Sequence, residues 1–219
     1  MFLGASSLSN FRLGASQVDK IYLGAEEVWS SYEEDLLFFA RSADDIVYRK
    51  GEWITGATGL QSTNTILNPD FFSSDYGYMI TATRIATNSA QYNQLVGFSY
   101  GSGVSDNYGH FVQQANTGYN NLLFEHRLNN YSSVGNITFN VGQTRKMVGQ
   151  CGPSTGSHWY SSSSRFIRNQ TRDLARDLNF RVGFNLTNQI TITNVALFKR
   201  AITNAEKNAY FDNTFPLFL

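Results

Sequence analysis

The fold of this chain is decided by the stretch NFRVGFNLTNQITITNVALFKRAITNAEKNAYF, residues 179–211. Apolar and polar residues alternate from Phe180 to Phe184 and again from Ile190 to Thr193, and a period of two is typical of β-strands that bury one face. The parity of the alternation changes further along the second strand, which predicts a β-bulge near Asn194. Two strands, the second of them bent, are therefore predicted near the end of the chain.

A short helix is predicted directly after these strands. Thr203-Asn-Ala-Glu206 is a capping box, and it opens a helix that runs to about Phe211. The tail from Phe211 to Leu219 ends in an apolar run, which is expected to fold back on the domain because exposed apolar runs promote aggregation; packing on a neighbouring molecule is the alternative. A second helix, from Thr171 to Leu178, is predicted from two leucines four residues apart.

Strand-length segments separated by polar turns fill the rest of the chain after residue 31. Aromatic residues make up 15% of the sequence and charged residues 16%, and this balance favours an all-β chain. About eleven strands at this spacing predict a two-sheet sandwich or jelly roll. Besides the two strands above, the predicted segments are Leu36 to Arg41, Ile46 to Arg49, Tyr78 to Ile85, Gln94 to Tyr100, His110 to Gln114, Leu122 to Leu128, Asn136 to Val141, Lys146 to Cys151 and Arg165 to Arg168.

The closing stretch resembles the end of concanavalin A-like, LamG-type jelly rolls. In that family a strand of pattern l-x-i-G precedes i-x-x-v-x-i-f-n-r-a-L-t-x-x-E and a short helix. Here those places hold Val182-Gly183, Val195, Leu197-Phe198, Arg200-Ala201-Ile202-Thr203 and Glu206. The resemblance implies an antiparallel two-sheet jelly-roll sandwich, and this is the predicted fold class, with a small β-repeat module in front of it. Lectins, carbohydrate-binding modules, glycoside hydrolases and assembly domains all share this fold, so the fold alone does not decide the function.

The first part of the chain repeats a decapeptide. Leu-Gly-Ala occurs at Leu3, Leu13 and Leu23, each time followed by a second apolar residue, so each copy is predicted to be a strand, a tight turn and a strand. Ten residues bury too little surface to be stable alone, so the copies must pack on each other, on the main domain or on copies from other subunits, of which the last two are favoured. An ordinary β-meander that belongs to the main domain is the alternative.

The third copy, Val18-Asp19-Lys20-Ile21-Tyr22-Leu23-Gly24-Ala25-Glu26-Glu27-Val28-Trp29, resembles the V-x-K-I-Y-L-G-x-x-x-V-W segment at the front of many tailed-bacteriophage virion proteins. The resemblance implies an attachment or oligomerisation module at residues 1–31, followed by a jelly-roll domain at residues 32–219. Short strand units gain buried surface from copies of themselves, so homo-oligomers, trimers among them, are expected. The predicted anchor residues are Leu13, Val18, Ile21, Tyr22, Leu23, Val28 and Trp29.

Composition limits the partners and the location. Lys and Arg number 17, Asp and Glu also number 17, and no run of like charges occurs, so neither nucleic acid nor a membrane is expected as a partner. The N-terminus lacks the basic start and apolar segment of a signal peptide, which predicts synthesis in the cytoplasm. A final place in the virion is what the resemblance to the phage segment implies. Cys151 is the single cysteine and is expected to be buried.

No catalytic constellation is recognised in the sequence. A glycosidase of this fold needs carboxylates on alternate positions of one strand, as in E-x-D-x-x-E, and that string does not occur. His110, His126 and His158 lack metal-ligand spacing and are expected at the surface or at strand edges. The chain is therefore predicted not to be an enzyme and to have no catalytic, metal or cofactor site.

Sugar binding remains open, because it needs an aromatic face and a few amide or carboxylate groups. Three predicted loops carry such residues, and the candidates are Asp106, Asn107, Tyr108, Tyr119, Trp159 and Tyr160. The leading hypothesis is a structural protein of a tailed-phage virion, docked to other virion proteins of the capsid or tail. The alternative is an adhesin that binds a host-surface glycan, and a carbohydrate-active enzyme is the third.

Overall fold

The computed structural model describes residues 11–13, 16–18, 20–23, 26–30, 35–40, 48–49, 53–56, 59–62, 74–86, 93–99, 109–114, 120–127, 133–153, 156–168, 179–184 and 190–218. The chain forms two compact units, Met1–Leu36 and Leu37–Leu219. The sequence predicts this division at residues 31 and 32. The longest helix in the described residues has eight residues, and none of those residues forms a helix long and apolar enough to cross a membrane.

The N-terminal unit contains two antiparallel β-hairpins. The first joins β1 (Phe11–Leu13) to β2 (Ser16–Val18), and the second joins β3 (Lys20–Leu23) to β4 (Glu26–Ser30). Leu13 ends β1 and Leu23 ends β3, so the two strands predicted for each of these copies are present, and the Gly-Ala pairs that follow the leucines lie outside the described residues. The first copy, with Leu3, lies outside the described residues.

Two seven-stranded antiparallel sheets form the rest of the described fold, so the predicted all-β, two-sheet class is confirmed. The strands are β5 (Leu36–Ala40), β6 (Tyr48–Arg49), β7 (Trp53–Gly56), β8 (Gly59–Ser62), β9 (Tyr76–Arg84), β10 (Asn93–Ser99), β11 (Gly109–Gln114), β12 (Asn121–Arg127), β13 (Ser133–Thr138), β14 (Thr144–Gly152), β15 (Gly156–Ser161), β16 (Arg165–Arg168), β17 (Asn179–Phe184) and β18 (Ile190–Phe198). One sheet has the order β13-β12-β11-β10-β17-β8-β7. The other, called the helix-side sheet below, has the order β16-β15-β14-β9-β18-β5-β6.

The main core lies between the two sheets and is rich in aromatic side chains. Tyr76 of the helix-side sheet contacts Phe98 of the other sheet edge-on, with 5.0 Å between ring centroids. Phe98 in turn lies 5.4 Å from Phe180, and Phe38 lies 6.2 Å from Phe180. Cys151 belongs to the same buried cluster, as predicted. The strands are therefore held together by ring packing across the interior.

The predicted bulge lies where the sequence places it. The pairing of β18 with β9 changes register between Thr193 and Ala196, and Asn194 has a φ of 51°. Val195 then joins the buried core, on the opposite parity from Ile192, which packs against that core only in part. The extra residue thus explains the change in the hydrophobic pattern.

A helix, α1 (Asn204–Phe211), follows β18 and begins with the predicted capping box. The Thr203 side chain accepts a hydrogen bond from the Glu206 backbone N–H, and the Glu206 carboxylate accepts one from the Thr203 N–H at 2.8 Å. Arg200 donates two further bonds to that carboxylate, at 2.6 and 2.9 Å. The motif that resembles the LamG-type ending therefore fixes the start of the helix.

The helix and the tail cover the outer face of the helix-side sheet. The hydroxyls of Thr81 and Tyr210 lie 2.6 Å apart, which joins β9 to α1. Phe215 and Leu217 are buried, so the prediction that the tail folds back is confirmed. Met79 and Phe198 lie on the outer face of the sheet and are nevertheless fully buried. Together with the helix and the tail, these side chains form a second apolar layer outside the main core, and this layer leaves only part of the outer face open.

Two differences from the predicted elements are visible. The strands β7, β8 and β15 were not expected, and β15 replaces a predicted loop around Trp159. Val141, expected on a buried strand face, lies in a turn and is 47% exposed, because the strand β13 ends at Thr138. The predicted helix from Thr171 to Leu178 lies outside the described residues.

Candidate functional site

The strand β15 presents two polar aromatic side chains on the outer face of the helix-side sheet. Its burial alternates strictly: Ser157, Trp159 and Ser161 are buried, whereas His158 and Tyr160 are half-buried. Successive side chains of a strand point to opposite faces, so Trp159 enters the core while its two neighbours face outward. The prediction that Trp159 binds carbohydrate is therefore wrong, because its side chain is 0% exposed.

Tyr160 lies at the centre of a group of side chains from three elements. The Lys207 ammonium, from α1, lies 4.0 Å from the centroid of the Tyr160 ring. The Arg165 guanidinium, directly opposite on β16, lies 5.4 Å from the same centroid. Nδ1 of His158 lies 3.0 Å from the Tyr160 hydroxyl. Both cations are within the distance at which the electrons of an aromatic ring attract them.

The two cations are close enough to oppose one another. Burial lowers the pKa of the Lys207 ammonium, and the Arg165 charge lowers it further, while Glu206 acts in the other direction. Glu206 is itself engaged by Arg200 in a bidentate ion pair. Burial of Glu206 opposes its ionisation, but the bonds from Arg200 and Thr203 outweigh that effect and hold its pKa below the ordinary value. This carboxylate is therefore occupied at the start of the helix.

His158 is held in its neutral form at neutral pH. Burial lowers the pKa of its imidazole, and the charges of Arg165 and Lys207 lower it further. A neutral imidazole has one N–H donor and one acceptor nitrogen, and in His158 the Nδ1 position is engaged with the Tyr160 hydroxyl.

Two side chains extend the group along the neighbouring strands. Gln150 pairs with His158 from β14, and Ile167 pairs with His158 from β16. Gln150 is 5% exposed, and its Oε1 has no hydrogen-bond partner among the residues that the structure describes. Ile167 is 44% exposed. A buried acceptor and an exposed apolar side chain therefore flank the imidazole.

The Tyr160 ring and the five side chains around it that could contact a ligand are called the Tyr160 cluster. It combines an aromatic ring, two cations, a neutral imidazole, an amide acceptor and an apolar surface. Such a set can bind a polar ligand through charge, hydrogen bonds and apolar contact. In the described part of the chain, no group of three or more His, Cys, Asp or Glu side chains could hold a metal ion. The members of the cluster are Gln150, His158, Tyr160, Arg165, Ile167 and Lys207.

Of the predicted sugar-binding residues, the structure places Tyr160 alone in this cluster. Asp106, Asn107, Tyr108 and Tyr119 lie outside the described residues. Sequence reasoning missed the other members of the cluster. His158 and Tyr160 are two residues apart, and this spacing was the available signal for a strand with a polar outer face.

The predicted anchor residues all lie on strands of the two N-terminal hairpins. In the first hairpin, Val18 pairs with Phe11, and Leu13 pairs with Ser16. In the second hairpin, the pairs are Ile21 with Trp29, Tyr22 with Glu27, and Leu23 with Glu26. Val28 lies on β4, next to the place where the register of the second hairpin shifts. These facts describe the backbone alone, and an anchoring role for the side chains stays a prediction.

Several solved structures have a similar fold. Trypanosoma rangeli sialidase in complex with sialic acid matches with a TM-score of 0.60 and 14% identity, over 90% of this chain and 36% of that one. A mutant of the same sialidase that displays trans-sialidase activity matches at 0.56 and 14%, over 88% and 35%. A structure of botulinum neurotoxin type C, whose cell entry depends on interaction with two ganglioside molecules, matches at 0.54 and 8%, over 84% and 52%.

These similarities show the fold. The chain spans about a third to a half of the length of the matched structures. No protein-family model matches the sequence, and no curated protein is significantly similar to it. The comparisons contradict the prediction that the chain is not an enzyme, because two of the three structures named above are sialidases. At 14% identity they correct that prediction without assigning a reaction to this chain.

Proposed function

We propose that the sandwich binds carbohydrate at the Tyr160 cluster. The observation that carries the proposal is the Tyr160 ring, which faces outward among hydrogen-bonding side chains from three elements. Sugar sites pair an aromatic surface, for the apolar side of a pyranose, with polar groups for the hydroxyls. The matched sialidase binds sialic acid, and the matched neurotoxin interacts with gangliosides, which supports a glycan as the ligand.

The cluster is held in place before any ligand arrives. Tyr160 contacts Lys207 and Arg165 through its ring and His158 through its hydroxyl, so its side chain has little freedom to lose on binding. Side-chain ordering at an interface costs about 0.5–1.5 kcal/mol per side chain, and a preformed site avoids much of that cost. A preformed site therefore loses less affinity to side-chain ordering when a ligand binds.

The test is binding of the full chain to a panel of bacterial-surface polysaccharides and glycans. Saturable binding that Tyr160→Ala abolishes would support the proposal. Ile85→Ala is the matched control, since Ile85 is 53% exposed and lies outside the cluster. The absence of binding across the panel, or binding that Tyr160→Ala leaves unchanged, would contradict it.

A second proposal concerns residues 1–31, which we infer attach the protein to other virion proteins of a tailed phage. Two features support this proposal: the segment from Val18 to Trp29 resembles the phage segment, and residues 1–31 contain two β-hairpins. A chain that starts at Tyr32 should fold, as judged by a cooperative thermal transition, but should lose its place in particles or its oligomeric state. Unchanged assembly would contradict this role.

A further inference from the structure

We infer that the Tyr160 cluster selects acidic sugars, those in which a carboxylate is attached to the sugar ring. This inference rests on the proposed function and names the class of ligand. Two observations carry it: a pair of cations that lacks a carboxylate partner in the described residues, and a buried acceptor that needs a donor.

The Tyr160 ring has two positively charged side chains against it. Arg165 and Lys207 lie against one aromatic ring, and each disfavours the charge of the other. Within the described residues, no ion pair joins either of them to a carboxylate, and Glu206, the acid next to Lys207 in sequence, pairs with Arg200. A ligand carboxylate near the Tyr160 ring would complete this group of charges. Hydrogen bonds between ionised partners are about twice as strong as neutral ones.

The Lys207 ammonium is buried and has no carboxylate ion-pair partner among the described residues. The side chain is 5% exposed, and charged groups are seldom this buried unless they are paired. The ring of Tyr160 offers part of the missing interaction, yet an aromatic face attracts a cation more weakly than a carboxylate does. The arrangement is therefore one that a bound anion would stabilise.

The rest of the cluster favours a sugar acid over a simple anion. Oε1 of Gln150 is a buried acceptor without a partner in the described residues, and a turn of its side chain toward the outer face would let it accept from a sugar hydroxyl. Gln150 and Ile167 both lie next to His158 on the adjacent strands, where directly opposite residues are about 5 Å apart. Ile167 adds an apolar surface of the kind that contacts the C–H groups of a pyranose. Phosphate and sulfate would use only the cations.

The experiment measures the affinity of the full chain for three matched pairs: glucuronic acid and glucose, galacturonic acid and galactose, and sialyllactose and lactose. Each pair differs by an acidic group or an acidic residue. At least one acidic member should bind about tenfold or more tightly than its neutral partner, as expected for a charge-assisted bond. Equal binding within every pair, or displacement of the sugar acid by equimolar sulfate, would overturn the inference.

Two variants connect the preference to the cluster. Arg165→Ala and Lys207→Met should each reduce the preference for the acidic sugar about tenfold, whereas Lys199→Ala, which removes one exposed cation outside the cluster, should keep it. Lys207→Met retains an unbranched side chain and removes the repulsion with Arg165, so it should melt at the wild-type temperature or higher. An unchanged preference in both cluster variants would overturn the inference.

The outcomes separate this inference from the proposed function. Binding of neutral sugars that depends on Tyr160, with no preference for acids, would overturn the inference and leave the proposed function standing. If none of the six sugars binds, the selection of acidic sugars is wrong, and the polysaccharide panel decides the proposed function independently.

Discussion

Trp159 and Tyr160 are neighbours in sequence, and alanine substitutions at the two positions should have opposite effects. Trp159 is 0% exposed and belongs to the core, between Gly149 of β14 and Phe166 of β16 in the sheet register. Replacing a buried tryptophan by alanine costs about 3–5 kcal/mol, through lost burial and the cavity that remains. For a domain of this size, 1 kcal/mol lowers the Tm by about 2–4 °C, so Trp159→Ala should lower it by about 6–20 °C.

Tyr160→Ala removes a half-buried ring from the outer face. The side chain makes two cation–π contacts and one hydrogen bond, all on the surface of the sheet. A cation–π contact contributes about 0.5–1 kcal/mol at an exposed site and about 2 kcal/mol when desolvated, as with the buried Lys207, so the cost should be smaller than that of Trp159→Ala. Glycan binding, in contrast, should fall at least about tenfold.

The assay is urea unfolding and a thermal scan of the full chain with each variant, together with a binding measurement. Trp159→Ala should lose stability and, where the protein remains folded, retain its ligand affinity to within a few-fold. The reasoning is refuted if Trp159→Ala abolishes binding while leaving the melting temperature unchanged, because the tryptophan would then act as the sugar platform that the sequence suggested.

Three further predictions concern the scaffold. Glu206→Gln should lower the free energy of unfolding by about 1–3 kcal/mol at pH 7. Because the folded-state pKa of Glu206 lies below its ordinary value, the stability that its charge contributes is present above about pH 4.5 and is lost as the pH falls through the folded pKa. In urea unfolding, the variant should therefore lose less stability than the wild type on acidification. Thr81→Val leaves the buried Tyr210 hydroxyl without its partner and should cost about 1–3 kcal/mol in urea unfolding, whereas Thr191→Val, at an exposed position of β18, should change little. Gly135→Ala should lower the melting temperature, since its Cβ would overlap the ring of Phe166, and the combination with Phe166→Leu should recover part of the loss.

Local patterns predicted much of the fold. The capping box at Thr203 and Glu206 and the bulge at Asn194 each depend on a few adjacent residues, and both appear as expected. Hydrophobic alternation also located most strands, because the buried face of a strand can be recognised without knowing its partner. The prediction that Val141 lies on the buried face of a strand was wrong, because alternation alone does not show where a strand ends and a turn begins.

The candidate site could be predicted only in part. Tyr160 was found by its residue type, but the surrounding serines and glycines suggested a loop, and a loop gives no reason to bury Trp159. Once β15 is recognised as a strand, alternation separates the two rings. Lys207 lies on a helix far along the chain, and its contact with Tyr160 depends on how α1 packs on the sheet. Tertiary packing of this kind leaves no local signal in the sequence.

The most direct test of the account is to locate a bound sugar on the protein. The best-binding glycan from the panel is titrated into the full chain labelled with ¹⁵N, and backbone amide shifts are followed. We expect saturable changes concentrated at His158 and Tyr160 of β15, Arg165 of β16 and Lys207 of α1, which all disappear in Tyr160→Ala. Changes confined to other strands, or a pattern that Tyr160→Ala leaves intact, would contradict a carbohydrate site at the Tyr160 cluster.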